Sequence, residues 1–272
     1  MKKIQFLAIT VMALCVFVTR VVNASTILVA VAHPDDESLI NGTVHQLINE
    51  GHDVYVMYAT SGKYGRDVRG IIVDDPELLG ETRETEAISA LAVLGLPEDH
   101  ITFLRQDDIS TNAERLFTPV YNVFNEVQPE IVITLGPEGI YGHKDHITIS
   151  YLANYIFNLV SSCKVLFYFV ISESQNNGYN ISQEIFPVND EAINLEIGVS
   201  DSLEVIVNAY KKHETQFSPE TIDKYTSYIN EWPVEQFIIG GIRRNINADI
   251  NEAINTDIST VEYILNLTMT KP

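Results

Sequence analysis

The chain has 272 residues, of which 46% are hydrophobic, and its formal net charge is −20 at pH 7. This length and hydrophobic content suit one large domain with a substantial core and exclude a chain that is disordered throughout. Residues 1–24 hold three basic residues and no acidic one, so residues 25–272 combine 14 basic with 37 acidic residues. A surface of that sign repels phosphate groups, which argues against nucleic acid and anionic membranes as partners.

The first 24 residues have the organisation of a secretory signal peptide. Lys2-Lys3 form a basic start, residues 4–18 are apolar, and Val22-Asn23-Ala24 fits a small-residue cleavage site. The apolar stretch is shorter than the roughly 20 residues that cross a bilayer. We therefore predict a cleaved signal and a secreted or periplasmic protein without stable membrane insertion; the alternative is an uncleaved amino-terminal anchor. Cleavage leaves Cys163 as the single cysteine, with a buried structural thiol as the default expectation.

Strand and helix patterns alternate from residue 26 onwards. Apolar, β-branched runs predict strands at 26–32, 54–59, 101–104, 131–135 and 165–170. Amphipathic segments predict helices at 39–50, 81–94, 112–127, from 146 towards the last of these strands, and from 201 to about 213. This rhythm favours an α/β fold, with a Rossmann-like, mostly parallel sheet, helices on both faces and an active site at the carboxyl ends of the strands.

Three segments lack such a pattern. Residues 66–79 are interpreted as an exposed excursion, residues 172–200 as loops with short antiparallel strands, and residues 241–272 show no clean period. The predicted organisation is a signal peptide at 1–24, one catalytic domain at 25–240 and a carboxyl-terminal extension at 241–272.

The stretch His33-Pro34-Asp35-Asp36-Glu37 places a histidine and three carboxylates within five positions. It leaves the carboxyl end of the first predicted strand, where open α/β sheets bind their ligands. Such a concentration of charge is unfavourable unless a cation lies among the side chains. The stretch therefore predicts half of a site for a divalent metal.

A second polar stretch, Gly136 to His146, follows the predicted strand at 131–135. In a parallel sheet the two stretches lie on the same edge, so residues about 110 positions apart can converge. His33, Asp36 and His146 together supply two imidazoles and one carboxylate, which suits Zn²⁺ with one open position for water. The same donors also accept Fe²⁺ or Co²⁺.

Other side chains of the two stretches have the chemistry for acid and base roles. Asp35 adjoins a proposed ligand and is the predicted general base. His143 is predicted to stabilise an oxyanion or to protonate a leaving amine, with Asp145 orienting it and Tyr141 donating a hydrogen bond. Glu37 remains as a supporting residue or a helix start. His45, His52 and His100 are interpreted as structural.

The two motifs, His33-Pro34-Asp35-Asp36-Glu37 and Tyr141 to His146, resemble the PIG-L / LmbE-like zinc-dependent de-N-acetylases. The resemblance extends from about Thr26 to Phe237. It implies removal of acetyl from a glycan or glycoconjugate that bears N-acetylglucosamine, with zinc as cofactor. The residues that it assigns to zinc and to catalysis are the ones proposed above.

The resemblance adds residues that the spacing alone does not indicate. It implies that Arg83 and Asp108 lie near the sugar, whereas the simpler interpretation of Arg83 and Glu86 is a surface ion pair on one helix face. It also marks His213 and Gln216 as weaker family features. Lys144 departs from the pattern, because the family commonly has proline there.

Two other functions are compatible with the same residues. One is a zinc hydrolase of another amide, such as a peptide or an acylated natural product, although the chain lacks the His-Glu-x-x-His helix of common zinc proteases. The other is a glycan-binding module without catalysis, which the retention of Asp35 and every proposed ligand disfavours.

Overall fold

A computed structural model describes residues 24–107, 113–176 and 185–243, and the structural statements below concern these residues. The predicted signal peptide up to residue 23, Asp108, and residues 244–272 of the predicted extension lie outside them. Within the described part of the chain, no helix is both long enough and apolar enough to cross a membrane.

Seven strands of the described residues form one sheet in the order β3-β2-β1-β4-β5-β7-β6. The strands are β1 Thr26–Val31, β2 Asp53–Thr60, β3 Ile101–Gln106, β4 Ile131–Leu135, β5 Val165–Val170, β6 Leu195–Gly198 and β7 Val234–Ile242. The first five strands pair in parallel, and β7 is antiparallel to both β5 and β6. The predicted mostly parallel α/β sheet is confirmed.

Eight α-helices lie in the described residues. They are α1 Asn41–Asn49, α2 Pro76–Leu94, α3 Ala113–Val127, α4 Gly139–Gly142, α5 Lys144–Phe157, α6 Glu173–Asn176, α7 Leu203–Tyr210 and α8 Pro219–Glu231. Helices α1, α2 and α7 pack against one another, and α3 packs against α5. A 3₁₀ turn at Asp36–Ile40 joins the first polar stretch to α1.

The sheet buries its central strands completely. Residues 27–31 of β1 have no exposed surface, and β4 is buried along its length. Burying a side chain such as valine or leucine contributes roughly 1.5–3 kcal/mol, so these strands form a rigid base for the loops at their ends. Cys163, just before β5, is fully buried as expected, and burial raises its pKa to about 11.

Several predicted boundaries are wrong for local reasons. Helix α2 begins at Pro76, five residues before the prediction, because the Asp75 carboxylate accepts the Leu78 N–H and proline fits the first turn. Asp201 lies within a 3₁₀ turn before α7, and α7 ends at Tyr210. The prediction lacked α8 and β7, and its domain boundary at residue 240 falls inside β7.

Candidate active site

The loops after β1 and β4 meet at one edge of the sheet because these two parallel strands are direct neighbours. His33 lies two residues beyond β1, and His146 lies in the first turn of α5. His33 Nδ1 is 3.1 Å from His146 Nε2, although the residues are 113 positions apart. The two histidines predicted to converge therefore touch.

The orientation of the His33 ring is set by Asp145. His33 Nε2 lies 3.2 Å from the buried Asp145 carboxylate and donates to it, which leaves the Nδ1 lone pair directed at His146. This contact corrects the prediction that Asp145 orients His143. The Asp145 carboxylate accepts a hydrogen bond from His33, and the Asp145 backbone N–H donates to His143.

The His146 ring is oriented by a backbone carbonyl. Its Nδ1–H donates to Gly139 O at 3.1 Å, so the Nε2 lone pair faces the site. Gly139 has a φ of 69°, and a Cβ there would lie 2.8 Å from Ile147 Cγ1. Glycine is therefore required for the backbone to present this carbonyl.

Asp36 adds a carboxylate to the two histidines, and one of its oxygens is already hydrogen-bonded to the backbone. Its Oδ2 accepts the N–H groups of Ala32 and His33 at 3.0 and 2.8 Å, and its Oδ1 lies 3.0 Å from His146 Nε2. Burial opposes ionisation, but the neighbouring His146 and His33 hold the pKa of Asp36 well below its usual range. One carboxylate oxygen is thus held by the backbone and the other is directed at His146.

This donor set fits a divalent metal. Two imidazole lone pairs and a carboxylate oxygen point at one another within about hydrogen-bond distance, which is unfavourable without a positive charge among them. Burial lowers the pKa of His33, but Asp145 and Asp36 outweigh it and raise that pKa to about 10, a second sign that the cluster favours a cation. The ligand types match those of a catalytic metal site.

His143 is a rival for the third ligand position, because one ring nitrogen from each of His33, His143 and His146 lies within 4.8 Å of the other two. However, its Nδ1 accepts the Asp145 N–H at 3.2 Å at the start of α5, so a neutral ring carries its proton on Nε2. Burial, followed by the neighbouring His33 and His146, lowers the pKa of His143 and favours that neutral ring. His143 therefore presents a donor to the site.

Asp35 lies beside the predicted metal ligands in a backbone conformation that non-glycine residues rarely adopt. Its φ is 141° and its ψ is −17°. Burial, and then the charge of Asp36, raises the pKa of Asp35 to about 7. The Tyr141 ring centre lies 5.0 Å from that of His146 and 5.7 Å from that of His143, so Tyr141 flanks the histidine cluster as predicted.

Arg83 faces the interior of the protein. Its guanidinium donates to Gly62 O at 2.6 Å and to Arg66 O at 3.2 Å, in the loop after β2. The predicted surface pair with Glu86 is wrong, because Glu86 is also buried and accepts the Thr215 N–H and hydroxyl. Asp108 lies outside the described residues.

The three histidines interpreted as structural have contacts with the backbone. His45 and His100 bond backbone carbonyls of Leu94 and Val54, and His52 accepts the Ser25 N–H. Their interpretation as structural side chains agrees with these positions.

The sequence prediction left the partner of Glu37 unidentified. Glu37 Oε1 lies 2.7 Å from His213 Nε2, and both side chains are fully buried. Gln216, three residues later, donates to the Pro34 carbonyl. The sequence did carry a signal for this contact. His213 and Gln216 lie in a run of polar residues, 211–216, that directly follows an amphipathic helix.

Sequence comparisons identify the domain that carries this site. Residues 28–157 match the PIG-L family model, described as GlcNAc-PI de-N-acetylase. The 1D-myo-inositol 2-acetamido-2-deoxy-alpha-D-glucopyranoside deacetylase of Mycobacterium sp. (strain JLS) is 26% identical over 69% of this chain and 72% of its own length. The enzyme of that name from Corynebacterium efficiens is 33% identical over 43% of this chain and 44% of its own length.

Solved structures share the fold at low identity. N,N'-diacetylchitobiose deacetylase from Pyrococcus horikoshii has a TM-score of 0.64 and 17% identity, over 79% of this chain and 84% of its own. GalB, the 4-carboxy-2-hydroxymuconate hydratase from Pseudomonas putida KT2440, has a TM-score of 0.62 and 15% identity, over 83% of this chain and 100% of its own. Because a deacetylase and a hydratase both share the fold, the fold alone does not select the reaction.

Proposed function

We propose that the protein is a metal-dependent hydrolase that removes acetyl from an N-acetylglucosamine-containing glycan or glycoconjugate, because residues 28–157 match the PIG-L family model and the similar curated chains are deacetylases. In the reaction the acetamide C–N bond breaks, a water oxygen bonds to the carbonyl carbon, and acetate and a free amine leave. The observation that carries the proposal is the convergence of His33, Asp36 and His146 beside Asp35.

His33 Nδ1, His146 Nε2 and the Asp36 carboxylate would hold the metal. When bound there, a divalent metal lowers the pKa of a water molecule and polarises the substrate carbonyl. Zinc is the proposed ion because two imidazoles and one carboxylate suit it, and the same donors accept Fe²⁺ or Co²⁺. Asp145 and the Gly139 carbonyl fix the rings so that these lone pairs remain available.

Asp35 is the proton acceptor in this proposal. Burial and the charge of Asp36 raise the pKa of Asp35, which makes the carboxylate a stronger proton acceptor than a free aspartate. Asp35 takes a proton from the attacking water and returns it to the amine nitrogen as the C–N bond breaks. The second water proton stays on the acetic acid, which ionises to acetate in solvent, so the protons balance without a further residue.

His143 stabilises the negative charge that develops on the carbonyl oxygen. The Asp145 N–H occupies His143 Nδ1, so the Nε2–H is available to donate to that oxygen. Removing one such donor typically lowers kcat by about 10²–10³. Tyr141, beside the same ring, is the proposed second donor.

An acetate-release assay on a panel of substrates tests the proposal. The panel contains a glucosaminyl inositol, a chito-oligosaccharide and an acylated glycopeptide, with an unmodified peptide to detect a hydrolase of another amide. We expect acetate from at least one N-acetylglucosamine conjugate and no cleavage of the peptide. Metal content, measured on the same sample, is expected to be close to one zinc per chain.

Asp35→Asn separates an enzyme from a glycan-binding module. The variant is expected to keep its metal and to lose acetate release, because a side-chain amide cannot accept the proton. Asp53→Asn is the matched control, since Asp53 is an exposed carboxylate at the start of β2, on the opposite edge of the sheet. Near-native turnover by Asp35→Asn would contradict the proposal.

We also propose that the enzyme acts outside the cytoplasm. The support is the pattern of residues 1–24, with its basic start, apolar stretch and small-residue cleavage site. Expression in a bacterial host, followed by amino-terminal sequencing of the exported protein, is expected to give a chain that starts at Ser25. Accumulation of the uncleaved chain in membranes would favour the anchor instead.

A further inference from the structure

The backbone of Asp35 raises the question of what holds it. Non-glycine residues with such a φ persist only where surrounding contacts over-determine the conformation. The peptide unit that joins Pro34 to Asp35 sets this angle, because φ describes rotation about the bond that follows the Asp35 nitrogen. Contacts to the Pro34 carbonyl and the Asp35 N–H therefore control where the Asp35 side chain points.

Glu37 holds the N–H end of that peptide unit. Its Oε2 accepts the Asp35 N–H at 3.1 Å, and its Oε1 lies 2.7 Å from His213 Nε2. Both Glu37 and His213 are completely buried, so neither side chain can turn away to water. The carboxylate that fixes Asp35 is thus itself fixed by a ring from a segment 176 positions later.

Gln216 holds the carbonyl end of the same peptide unit. Its Nε2 donates to Pro34 O and also lies 3.4 Å from His213 Nδ1. The Pro34–Asp35 peptide is therefore clamped at both polar atoms, directly by Gln216 and through Glu37 by His213. Both clamping side chains come from one short turn after α7.

The turn that contains these two side chains is anchored to the body of the protein. Gln216 N donates to His213 O at 3.0 Å, which closes the turn. Thr215, between them, donates its N–H and its hydroxyl to the buried Glu86 carboxylate on α2, at 2.8 and 2.6 Å. The clamp on Asp35 is thereby tied to the helix that packs against α7.

We propose that His213, acting through Glu37, and Gln216 are positioning residues that hold the Pro34–Asp35 peptide so that the Asp35 carboxylate faces the reaction centre. The inference rests on the proposed function, in which Asp35 accepts the proton. Neither His213 nor Gln216 is assigned a contact with substrate or metal.

Gln216→Met tests the carbonyl end of the clamp, and Gln46→Met is its matched control. Both glutamines are half-buried and donate to one backbone carbonyl, but Gln46 bonds Gly198 at the end of β6. We expect Gln216→Met to lower kcat about 10–100-fold, the usual scale for residues that support a metal site from behind, with KM and metal content within about twofold. Equal kcat values for the two variants would overturn the proposal.

The His213 end of the clamp is tested by a pair of substitutions. His213→Gln keeps an N–H donor for Glu37 and is expected to retain most of kcat, whereas His213→Phe removes the donor. Because His213→Phe leaves a buried carboxylate without its partner, it is also expected to destabilise the fold. The ratio of kcat between His213→Gln and the unsubstituted protein is therefore the decisive value, and a loss as large as that of Gln216→Met would contradict the role of the donor.

Hydrogen exchange separates failure of this inference from failure of the proposed function. The Asp35 amide, followed by mass spectrometry of a peptide spanning residues 33–38, is expected to exchange faster in Gln216→Met than in Gln46→Met. If the unsubstituted protein releases no acetate from any substrate, the proposed function fails while this comparison still decides the clamp. Identical exchange in the two variants would overturn the clamp whatever the activity.

Discussion

The loop that follows β1 is buried almost throughout, whereas the loop that follows β4 is half exposed. From His33 to Ser38, Asp35 is the one residue with appreciable exposure. In the second loop Tyr141, Gly142 and His143 are half exposed and Lys144 is exposed. The first loop is held by distant segments of the chain, and the second turns on itself through residues with positive φ.

This contrast suggests a division of labour between the loops. In the proposed mechanism the buried loop supplies two metal ligands and the proton acceptor, whose positions tolerate little movement. The half-exposed loop supplies His143, the proposed donor, where solvent reaches the cluster. A site with one rigid and one accessible wall would combine precise placement of a metal with access for a substrate.

The largest expected effect comes from removing one ligand on each loop. Asp36→Ala and His146→Ala should both lose the metal and lower acetate release more than about 10³-fold, because the loops share one ion. The two variants should also differ in thermal stability, since both lack the metal and only the lost side chain differs. Asp36→Ala also strands two buried N–H groups, so its Tm should lie below that of His146→Ala. Metal analysis and thermal unfolding measure both effects; His45→Ala, which should keep its metal, is the control.

His143→Gln tests the accessible loop alone. We expect kcat to fall about 10²–10³-fold while the metal stays bound, because the Asp145 N–H occupies His143 Nδ1 and the proposed role of the ring is that of a donor and not of a ligand. Acetate release and metal content are measured together. Loss of metal in parallel with activity would make His143 a ligand and would break the division between the two loops.

The buried loop should show a pH-dependent stability that depends on Glu235. This buried residue of β7 accepts the N–H groups of Gly42 and Thr43 in the first turn of α1, the helix that continues the loop. Burial raises the pKa of Glu235 to about 7 against the opposing N–H donors, from about 4.5 in the unfolded chain.

The folded state therefore binds the Glu235 proton more tightly than the unfolded state does. Its contribution to stability is complete below about pH 4.5 and is lost as the pH rises to about 7, an effect of about 3 kcal/mol. The free energy of unfolding is measured with urea at about pH 5 and about pH 8. Between these values it should fall by about 3 kcal/mol more in the unsubstituted protein than in Glu235→Gln. Equal changes would show that Glu235 is ionised throughout.

The smallest expected effect concerns the backbone of the accessible loop. Gly139→Ala places a Cβ 2.8 Å from Ile147 Cγ1 at a φ of 69°, and should cost about 2 kcal/mol and weaken metal binding through His146. Gly51→Ala, with a φ of 87° and no atom within 4 Å of the new Cβ, is the matched control and should cost about 1 kcal/mol. Unfolding with urea and metal titration distinguish the two.

The central strands and both polar loops were predictable because each depends on a local pattern. The strand at 131–135 was predicted at its observed bounds, since a run of five buried residues, four of them apolar, carries the signal by itself. The meeting of His33 with His146 followed from one rule of parallel sheets, which places the ends of neighbouring strands on the same edge. Neither inference needed a long-range contact to be known in advance.

What could not be predicted depends on contacts between distant segments. The partner of Asp145 depends on the rotation of the His33 ring, and the fate of Arg83 depends on two carbonyls in a loop about 20 positions earlier. The Glu37–His213 pair joins residues 176 positions apart. Strand β7 was not predicted, because its antiparallel partners, β5 and β6, are separated from it in sequence by α7 and α8.

Cys163 provides a consequence of a different kind. A thiol with a pKa of about 11 is almost entirely protonated near neutral pH, and full burial removes it from reagents as well. The residue closely precedes β5, which pairs in parallel with β4 and antiparallel with β7. In a chain that lacks residues 1–24, Cys163 is the single cysteine. The rate at which a reagent alkylates its sulfur would therefore report how often the sheet opens around β5, where its parallel and antiparallel parts meet.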